Sequence, residues 1–252
     1  MASTGPSPTH RNALPEPDVS PEQDAEWCVA RVEDKWQRIR FHDYRTLFSV
    51  PKLYERVIYD ILKCRSPQVI TDLLNKSLKQ ENVEPQTLRA LDLGAGNGIV
   101  GELLAKQGAE LIVGVDIIEE AAVAAERDRP GVYDEYEVLD MTCLTDGNER
   151  MLRAHEFNCL TCVAALGFGD IPTGAFTAAY NLIVPDGWIA FNIKEEFLSG
   201  NDDSGFAGLV RSMIGDSVLD VRCKHRYQHR LGTDREPIHY VAIVGQKQRD
   251  IS

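Results

Sequence analysis

The sequence has no long apolar run. No segment approaches the roughly 20 consecutive apolar residues that cross a bilayer. No apolar stretch follows a basic start at the N-terminus, as a secretory leader would require. The same region contains acidic residues and little arginine, which argues against a mitochondrial transit peptide. We therefore expect a cytoplasmic protein without a membrane partner.

Basic residues are also in deficit, with 27 Lys and Arg against 39 Asp and Glu and a formal net charge of −12 at pH 7. Proteins that modify nucleic acids draw much of their affinity from neutralising phosphates. This chain would on average repel an extended polyanion, so a nucleic acid is not expected among its partners. A basic protein substrate would instead be attracted.

The six cysteines are scattered without the spacing of a disulfide framework. Only Cys159 and Cys162 have a spacing found in metal sites, and they lie in an apolar stretch, 157–166, that predicts a buried strand. Side chains three residues apart on a strand point to opposite faces, so both sulfurs cannot easily reach one ion. We therefore expect no metal site here and interpret the pair as small buried hydrophobic residues.

Composition and periodicity divide the chain into three parts. Residues 1–24 combine five prolines with Ser, Thr and Glu and predict a disordered tail. Residues 25–84 have a helical period and predict an N-terminal helical lid. Residues 85–252 alternate between strands and helices and predict a single α/β domain.

Three helices are predicted in the lid. The first carries Trp27, Trp36 and Ile39 on one face. The second and third are expected to start at the serine and proline signals at 49–51 and 66–67. The unit either adds stability alone or covers an active site, and the two roles are compatible.

The third part predicts a mostly parallel sheet covered by helices on both faces. The predicted strands are 88–93, 110–116, 133–139, 157–165, 188–193, 218–229 and 238–244. The predicted helices are 100–107, 119–127, 173–182 and 205–214. A short connection without a helix joins the last two strands, which predicts an antiparallel hairpin at the sheet edge.

A glycine-rich turn at 92–98 follows the first of these strands and precedes a helix. Such turns approach ligands in open α/β sheets, because glycine lets the backbone come close without a Cβ in the way. A dinucleotide fingerprint would place its third glycine at Ile99, whereas here it is Gly98. The acidic Asp92 also suits a ligand with a cationic amino group better than a pyrophosphate.

Two further acidic residues end the next two predicted strands. Asp116 lies roughly twenty residues after the turn, where a carboxylate can accept both hydroxyl protons of a ribose. Asp140 ends the third strand, where it could accept from an adenine amino group while Met141 packs against the ring. Three acids at the carboxyl ends of three successive strands predict one nucleoside-binding edge.

The stretch from Leu88 to about Phe191 resembles the class I S-adenosylmethionine-dependent methyltransferases. Residues 92–98 match the family's glycine-rich motif, Asp116 its ribose-binding acid and Asp140 its adenine-proximal acid. The resemblance implies a Rossmann-like, doubly wound, seven-stranded sheet with S-adenosylmethionine as cofactor. The candidate cofactor-binding residues in this domain are Asp92, Gly94, Ala95, Gly96, Gly98, Asp116, Ile117, Asp140, Met141 and Ala165. Tyr44, between the first two predicted lid helices, is a further candidate that could close over the methionyl part of the cofactor.

The chain departs from the family pattern at two places. Asn158 stands where the family often has an acidic residue, with little expected consequence for the cofactor. The segment 164–172 lacks the Asn or Asp, Pro-Pro and aromatic sequence of enzymes that methylate nucleobase amines. Together with the acidic charge, this favours a small-molecule acceptor over a nucleic acid.

The acceptor side is predicted from two segments and one loop. Alternate residues of the strand 218–229 share one face, which would carry Tyr227 and His229 to the functional edge if the strand runs parallel to the first five. His42 precedes Tyr44 in the lid, and Phe168 and Asp170 follow the fourth strand. The candidate substrate-binding residues are Phe168, Asp170 and Tyr227, and the candidate catalytic residues are His42 and His229.

We therefore predict methyl transfer from S-adenosylmethionine to a small-molecule acceptor by in-line displacement. Two alternatives remain open: a protein methyltransferase, and a non-catalytic regulatory protein that binds S-adenosylmethionine. The intact glycine motif favours an enzyme over the regulatory protein. The acceptor, the methylated element (oxygen, nitrogen, carbon or sulfur), the use of a general base and the oligomeric state are not encoded in any motif.

Overall fold

The structure, a computed structural model, describes residue 14 and residues 23–32, 34–167, 170–198 and 204–252. The predicted disordered tail falls almost entirely outside these residues, and so does the predicted substrate-binding residue Phe168. Within the described ranges, no helix combines the length and apolarity that crossing a membrane requires.

The described residues contain nine strands and seven α-helices. The strands are β1 (Trp27–Val32), β2 (Lys35–Arg40), β3 (Arg89–Leu93), β4 (Leu111–Asp116), β5 (Glu135–Val138), β6 (Cys159–Cys162), β7 (Trp188–Lys194), β8 (Leu219–Leu231) and β9 (Pro237–Lys247). The helices are α1 (Tyr44–Ser49), α2 (Ser66–Gln80), α3 (Ile99–Gln107), α4 (Glu119–Asp128), α5 (Asp146–Ala154), α6 (Thr173–Asn181) and α7 (Phe206–Gly215).

Seven strands form one sheet in the order β5-β4-β3-β6-β7-β9-β8. Strands β3 to β7 are parallel, and β9 runs antiparallel to both β7 and β8. The central strands are continuous apolar runs because helices cover both faces of the sheet. This topology confirms the predicted Rossmann-like sheet with its antiparallel terminal hairpin.

Each face of the sheet has its own apolar core. The core on one face includes Phe176 of α6 and Phe206 of α7, whereas the other includes Leu74 of α2. Cys162 belongs to the first core and Cys159 to the second, so their side chains do point to opposite faces. Both thiols are fully buried.

The first predicted lid helix is wrong, since residues 27–40 form an antiparallel hairpin of β1 and β2. The apolar residues that are spaced for one helix face are also compatible with a hairpin, and the structure adopts the hairpin. Cys28 and Ala30 are buried, whereas Trp36 is 54% exposed. Asp34 turns the chain with a φ of 65°. Burial thus follows alternation at the start of the lid.

The second predicted helix forms close to its expected place but as a π-helix, and an unpredicted short helix precedes it. The chain forms α1 before the expected start, and Asp43 caps it by accepting a hydrogen bond from the backbone N–H of Thr46 at 3.3 Å. A π-helical segment, Glu55–Ile61, follows. The third start signal is confirmed, because α2 begins at Ser66 with Pro67 in its first turn.

Strand β8 contains two bulges, which correct the prediction that its alternate residues share one face. The pairing with β9 shifts between Val221 and Cys223 and again between Gln228 and Arg230. Each shift adds one unpaired residue and reverses the faces that follow it. Val221 therefore packs against one core and Cys223 against the other. The strand does run parallel to β3–β7, as the prediction required.

The hairpin of β1 and β2 is tied to the end of β8 by a buried ion pair. Glu26 accepts hydrogen bonds from the Arg230 guanidinium and, at 2.6 Å, from the backbone N–H of Thr233. The side chains of the pair are 2% and 5% exposed. A buried charge needs such partners to offset its desolvation. The hairpin is thereby fixed to the antiparallel edge of the sheet.

Candidate functional site

A cavity of about 350 Å³ lies at the carboxyl ends of the central parallel strands. One wall comes from the turns after β3, β4, β5 and β6, and the other from the lid and the start of α6. The predicted site residues that line it are His42, Tyr44, Gly94, Gly96, Asp116, Ile117, Asp140, Met141, Ala165 and Asp170. Predicted site residues from the turns after four parallel strands thus meet at the carboxyl edge of the sheet.

The glycine-rich turn is itself part of the cavity wall and packs tightly against the residues beside it. Gly94 has a φ of +71°, and a Cβ added there would lie 2.9 Å from Cδ1 of Ile171 and 3.1 Å from Cβ of Ala165. At Gly96 a Cβ would lie 3.2 Å from Cζ of Phe48. The turn therefore requires glycine at position 94 both for its conformation and for space.

Asp116 joins the turn to the end of β4. Its carboxylate accepts hydrogen bonds from the backbone N–H of Gly96 at 2.9 Å and of Ile118 at 3.0 Å. Burial raises the pKa of Asp116, and these backbone donors oppose the rise. Asp116 lines the cavity, so its carboxylate is available to a ligand there.

Asp92 lies beneath the turn and is only 1% exposed. It accepts hydrogen bonds from the Thr161 hydroxyl at 2.7 Å and the Tyr133 hydroxyl at 2.8 Å. Burial raises its pKa to about 6, against the lowering effect of both donors. The structure places Asp92 as a support for the turn, and its contact with a ligand's amino group stays a prediction.

Two tyrosines that hold the turn in place were not predicted. Tyr136 donates to the carbonyl of Gly96 at 2.8 Å, and Tyr133 packs against three glycines. A Cβ on Gly101 would lie 2.7 Å from the Tyr133 ring, and one on Gly114 3.0 Å from it. Glycines inside a helix and a strand indicate that something approaches closely, and this signal could have revealed the ring.

The remaining predicted cofactor residues lie at different depths. Asp140 is exposed and accepts hydrogen bonds from the Thr142 hydroxyl and backbone N–H, which lower its pKa. Met141 is 4% exposed and Ile117 is 55% exposed, both on the cavity. Ala95 and Gly98 belong to the turn but are not part of the lining of the described cavity.

On the lid side, three polar groups converge. His42 Nδ1 lies 2.9 Å from Oδ2 of Asp170, and the Tyr44 hydroxyl donates to the same oxygen at 3.4 Å. The side chains of His42 and Asp170 are 17% and 24% exposed. Burial, followed by the Asp170 charge, raises the pKa of Tyr44. The structure thus brings predicted catalytic and substrate-binding residues together.

Tyr227 and His229 lie instead in a buried polar cluster, and Tyr227 does not line the described cavity. Ser66 Oγ lies 2.6 Å from both the Tyr227 hydroxyl and His229 Nδ1, and Asn192 donates to that hydroxyl at 2.7 Å. Asn192 also accepts from the backbone N–H of Ala164 at 2.7 Å, a cavity residue with a φ of 58°. Burial, reinforced by Arg230, lowers the pKa of His229, so its ring is neutral.

The sheet order and the glycine turn, joined to the carboxylate of Asp116, define a class I S-adenosylmethionine-dependent methyltransferase. Residues 63–214 match the family described as methyltransferase domain. The match spans more than half of the chain, which therefore belongs to this family.

Curated relatives and a solved structure agree with that family. The ubiquinone biosynthesis O-methyltransferase of Burkholderia ambifaria (strain MC40-6) is 31% identical over 164 residues, which are 62% of this chain and 67% of that protein. The enzyme of the same name from Neisseria meningitidis serogroup C is 31% identical over 107 residues, 41% of this chain and 43% of that protein. The chain thus spans less than half the length of this second relative.

Magnesium protoporphyrin IX methyltransferase from Synechocystis PCC 6803, solved with bound S-adenosylmethionine, superposes with a TM-score of 0.55. It is 15% identical and covers 82% of this chain and 97% of its own. Identity this low shows a shared fold alone.

Proposed function

We propose that this chain transfers the methyl group of S-adenosylmethionine to a small-molecule acceptor. The observation that carries the proposal is the cavity in which the glycine turn, Asp116 and the residues after β5 meet. The family membership and the cofactor bound to the Synechocystis protein support the choice of cofactor.

The cavity wall fits the parts of this cofactor. The Asp116 carboxylate can accept both hydroxyls of a ribose. Ile117 and Met141 offer apolar surface for an adenine ring, with Asp140 beside them as an acceptor for its amino group. The turn at Gly94 leaves no room for a Cβ, so the backbone itself can approach the ligand.

A bound sulfonium supplies a methyl group that is already activated, so the protein mainly has to align the acceptor and exclude water. The lid side can do both. Tyr44, Phe48 and Tyr54 line the cavity opposite the strand ends, and His42 and Asp170 provide polar groups. The similarity to O-methyltransferases supports oxygen as the methylated atom.

The aromatic lid favours a small acceptor over a protein side chain. Phe48 packs against Gly96 and is itself only 4% exposed, so the lid covers the turn closely. A flat organic molecule can slip between such rings, whereas a folded protein would have to displace them. Cytoplasmic location and the absence of a nucleic-acid partner stay predictions of the sequence.

Calorimetric titration of S-adenosylmethionine and S-adenosylhomocysteine tests the cofactor site. Asp116→Asn should weaken both by about 10- to 100-fold, because a hydrogen bond to a charged group contributes about 1.5–3 kcal/mol. The matched control is Asp146→Asn, an exposed carboxylate at the start of α5. Failure of the wild type to bind either compound would refute the proposed function.

Transfer of a labelled methyl group then separates an enzyme from a binding protein. We expect label to enter small aromatic hydroxyl compounds and to be recovered as methyl ethers. Label that enters only protein would identify a protein methyltransferase. Saturable cofactor binding without transfer to any acceptor class would favour the regulatory alternative.

A further inference from the structure

We propose that His42 is a catalytic residue that takes the proton of the acceptor's hydroxyl group, and that Asp170 is the residue that positions it. This inference rests on the proposed function and adds the chemistry of its acceptor. It is carried by a geometry that no cofactor motif explains: an imidazole paired with a carboxylate on the lid side of the cavity.

The contact between His42 and Asp170 determines which imidazole nitrogen can accept a proton from the acceptor. Asp170 contacts Nδ1, with its two oxygens at 2.9 and 3.2 Å, so Nδ1 carries the proton donated to the carboxylate. The lone pair of the neutral ring then belongs to Nε2. Asp170 also stabilises the imidazolium that forms when Nε2 takes a proton. Tyr44 donates to the same carboxylate and helps to fix its orientation.

The pair stands where two cavities adjoin. His42, Tyr44, Tyr54 and Asp170 line the main cavity and also a smaller one of about 40 Å³ beneath the lid. The imidazole therefore faces the space between the strand-end turns and the lid. An acceptor held there has cofactor-binding residues on one side and His42 on the other.

Several titratable groups face this imidazole. Among the described residues that line the smaller cavity, the one Lys or Arg is Arg230, which is already paired with Glu26. His229 is held neutral by burial. The groups that line the two cavities with His42 are Tyr44, Tyr54, Cys64, Asp116, Asp140, Asp170, His229, Arg230 and Tyr240.

The acceptor that suits this arrangement is an aromatic hydroxyl. A phenolic hydroxyl is far more acidic than an aliphatic one, so a neutral imidazole can take its proton at a much smaller cost. The rings of Tyr44, Phe48 and Tyr54 line the same cavity and can pack against a flat ring. A thioether or a tertiary amine has no such proton to give.

The proton transfer balances within the site. The O–H bond of the acceptor breaks, its proton moves to Nε2 of His42, and both bonding electrons stay on the oxygen as the nucleophilic pair. The imidazolium returns its extra proton to water after the methyl ether leaves. No oxidant, reductant or metal is required.

The first test needs no cofactor. 4-Nitrophenol, whose ionised form absorbs visible light, is mixed with the protein at a pH below the ordinary pKa of this phenol. The wild type should raise the phenolate absorbance, and His42→Gln should abolish the rise. Asp170→Asn should weaken it at least several-fold, and Asp170→Glu should restore part of it. His225→Gln, an exposed histidine on β8, is the matched control and should match the wild type.

The second test separates this inference from the proposed function. His42→Gln should keep its affinity for S-adenosylhomocysteine within about threefold of the wild type, yet lose methyl transfer by about 100-fold or more, since a positioned base contributes 10²–10⁴-fold.

Three outcomes would overturn the inference while leaving the cofactor site intact. The first is that the wild type gives no phenolate signal, and the second is that His42→Gln gives the same signal as the wild type. The third is that His42→Gln transfers methyl groups as fast as the wild type. If His42→Gln loses S-adenosylhomocysteine binding together with transfer, the pair is a latch that closes the lid, which also overturns it. Wild type that binds neither cofactor compound would instead refute the proposed function.

Discussion

Two buried polar clusters support the two turns that line the cavity, and they differ in their ionisable group: one contains a carboxyl group and the other an imidazole. The Asp92 cluster, which consists of Asp92, Thr161 and Tyr133, lies under the glycine turn. The Ser66 cluster, which consists of Ser66, Asn192, Tyr227 and His229, holds the turn after β6 through Ala164. Both turns contain residues with positive φ, so each needs an anchor beneath it.

The two clusters respond to burial in opposite directions. Burial raises the pKa of Asp92 to about 6 and lowers the pKa of His229. In both residues the folded state favours the neutral form. The carboxylate therefore costs stability as pH rises, and the imidazole costs stability as pH falls. The contribution of each buried cluster to folding stability therefore changes with pH in the opposite direction.

Breaking the glycine turn itself should have the largest effect on cofactor binding. Gly94→Ala places a Cβ 2.9 Å from Ile171 on the cavity wall, and we expect S-adenosylhomocysteine binding to weaken by about 100-fold. Gly131→Ala is the matched control, because Gly131 also has a positive φ of +69° but nothing within 4 Å of its Cβ position. Calorimetry on both variants measures the effect.

Both substitutions should lower stability by about 1–2 kcal/mol, since each forces alanine into a left-handed conformation. Only Gly94→Ala should lose binding. Equal loss in the two variants would mean that backbone strain, rather than the close approach of the turn to the wall, controls the site.

Removing the centre of the Ser66 cluster should cost the most stability. Asn192→Ala leaves the Ala164 N–H and the hydroxyls of Ser66 and Tyr227 with lost partners in a buried site, and we expect about 4 kcal/mol. Urea unfolding monitored by tryptophan fluorescence measures it.

Asn75→Ala is the control for that substitution. The Asn75 side-chain oxygen is buried and has no hydrogen-bond partner among the described residues, so its removal breaks no bond to that oxygen. We expect a change below about 1 kcal/mol. Similar losses in the two variants would show that the Ser66 cluster contributes packing alone.

The charge of the Asp92 cluster can be isolated through pH. Its pKa rises from the ordinary 3.8 to about 6, so the folded state holds a proton that the unfolded state releases between these values. Raising the pH from 4 to 7 should destabilise the wild type by about 2 kcal/mol relative to Asp92→Asn. Unfolding curves of both proteins at each pH measure the difference, and a constant offset between them would contradict it.

The imidazole of the Ser66 cluster should give the smallest effect at neutral pH, where His229 is uncharged in both states. Below the ordinary histidine pKa of 6.5, the unfolded state gains a proton that the folded ring refuses. The wild type should therefore lose stability on acidification relative to His229→Gln. This trend is opposite to that of Asp92→Asn, and two trends of the same sign would contradict the comparison.

The sequence predicts those parts of the fold that short-range patterns determine. The apolar runs of β3 and β4 and the glycine turn between them are local, and so is the start of α2 at Ser66 and Pro67. The hairpin at 27–40 was mistaken for a helix because its few apolar residues satisfy both periods. Only its packing against the rest of the chain decides between them.

The site was predictable on the strand side and much less so on the lid side. Asp116 and Gly94 follow motifs at fixed distances from strand ends. The contact of His42 with Asp170 joins residues 128 positions apart, which no local pattern specifies. Tyr227 was expected at the cavity but lies in the buried Ser66 cluster. The bulges of β8 change which face each residue occupies, and this register depends on the partner strand.

The ion pair between Glu26 and Arg230 has a consequence for the order of assembly. Its members are 204 positions apart, and Gln23 donates to Tyr240 across 217. Segments that leave the ribosome early thus wait for β8 and β9 before they can dock, since distant contacts form late. The segment before β1 therefore reaches its final position only after the last two strands of the sheet have been made.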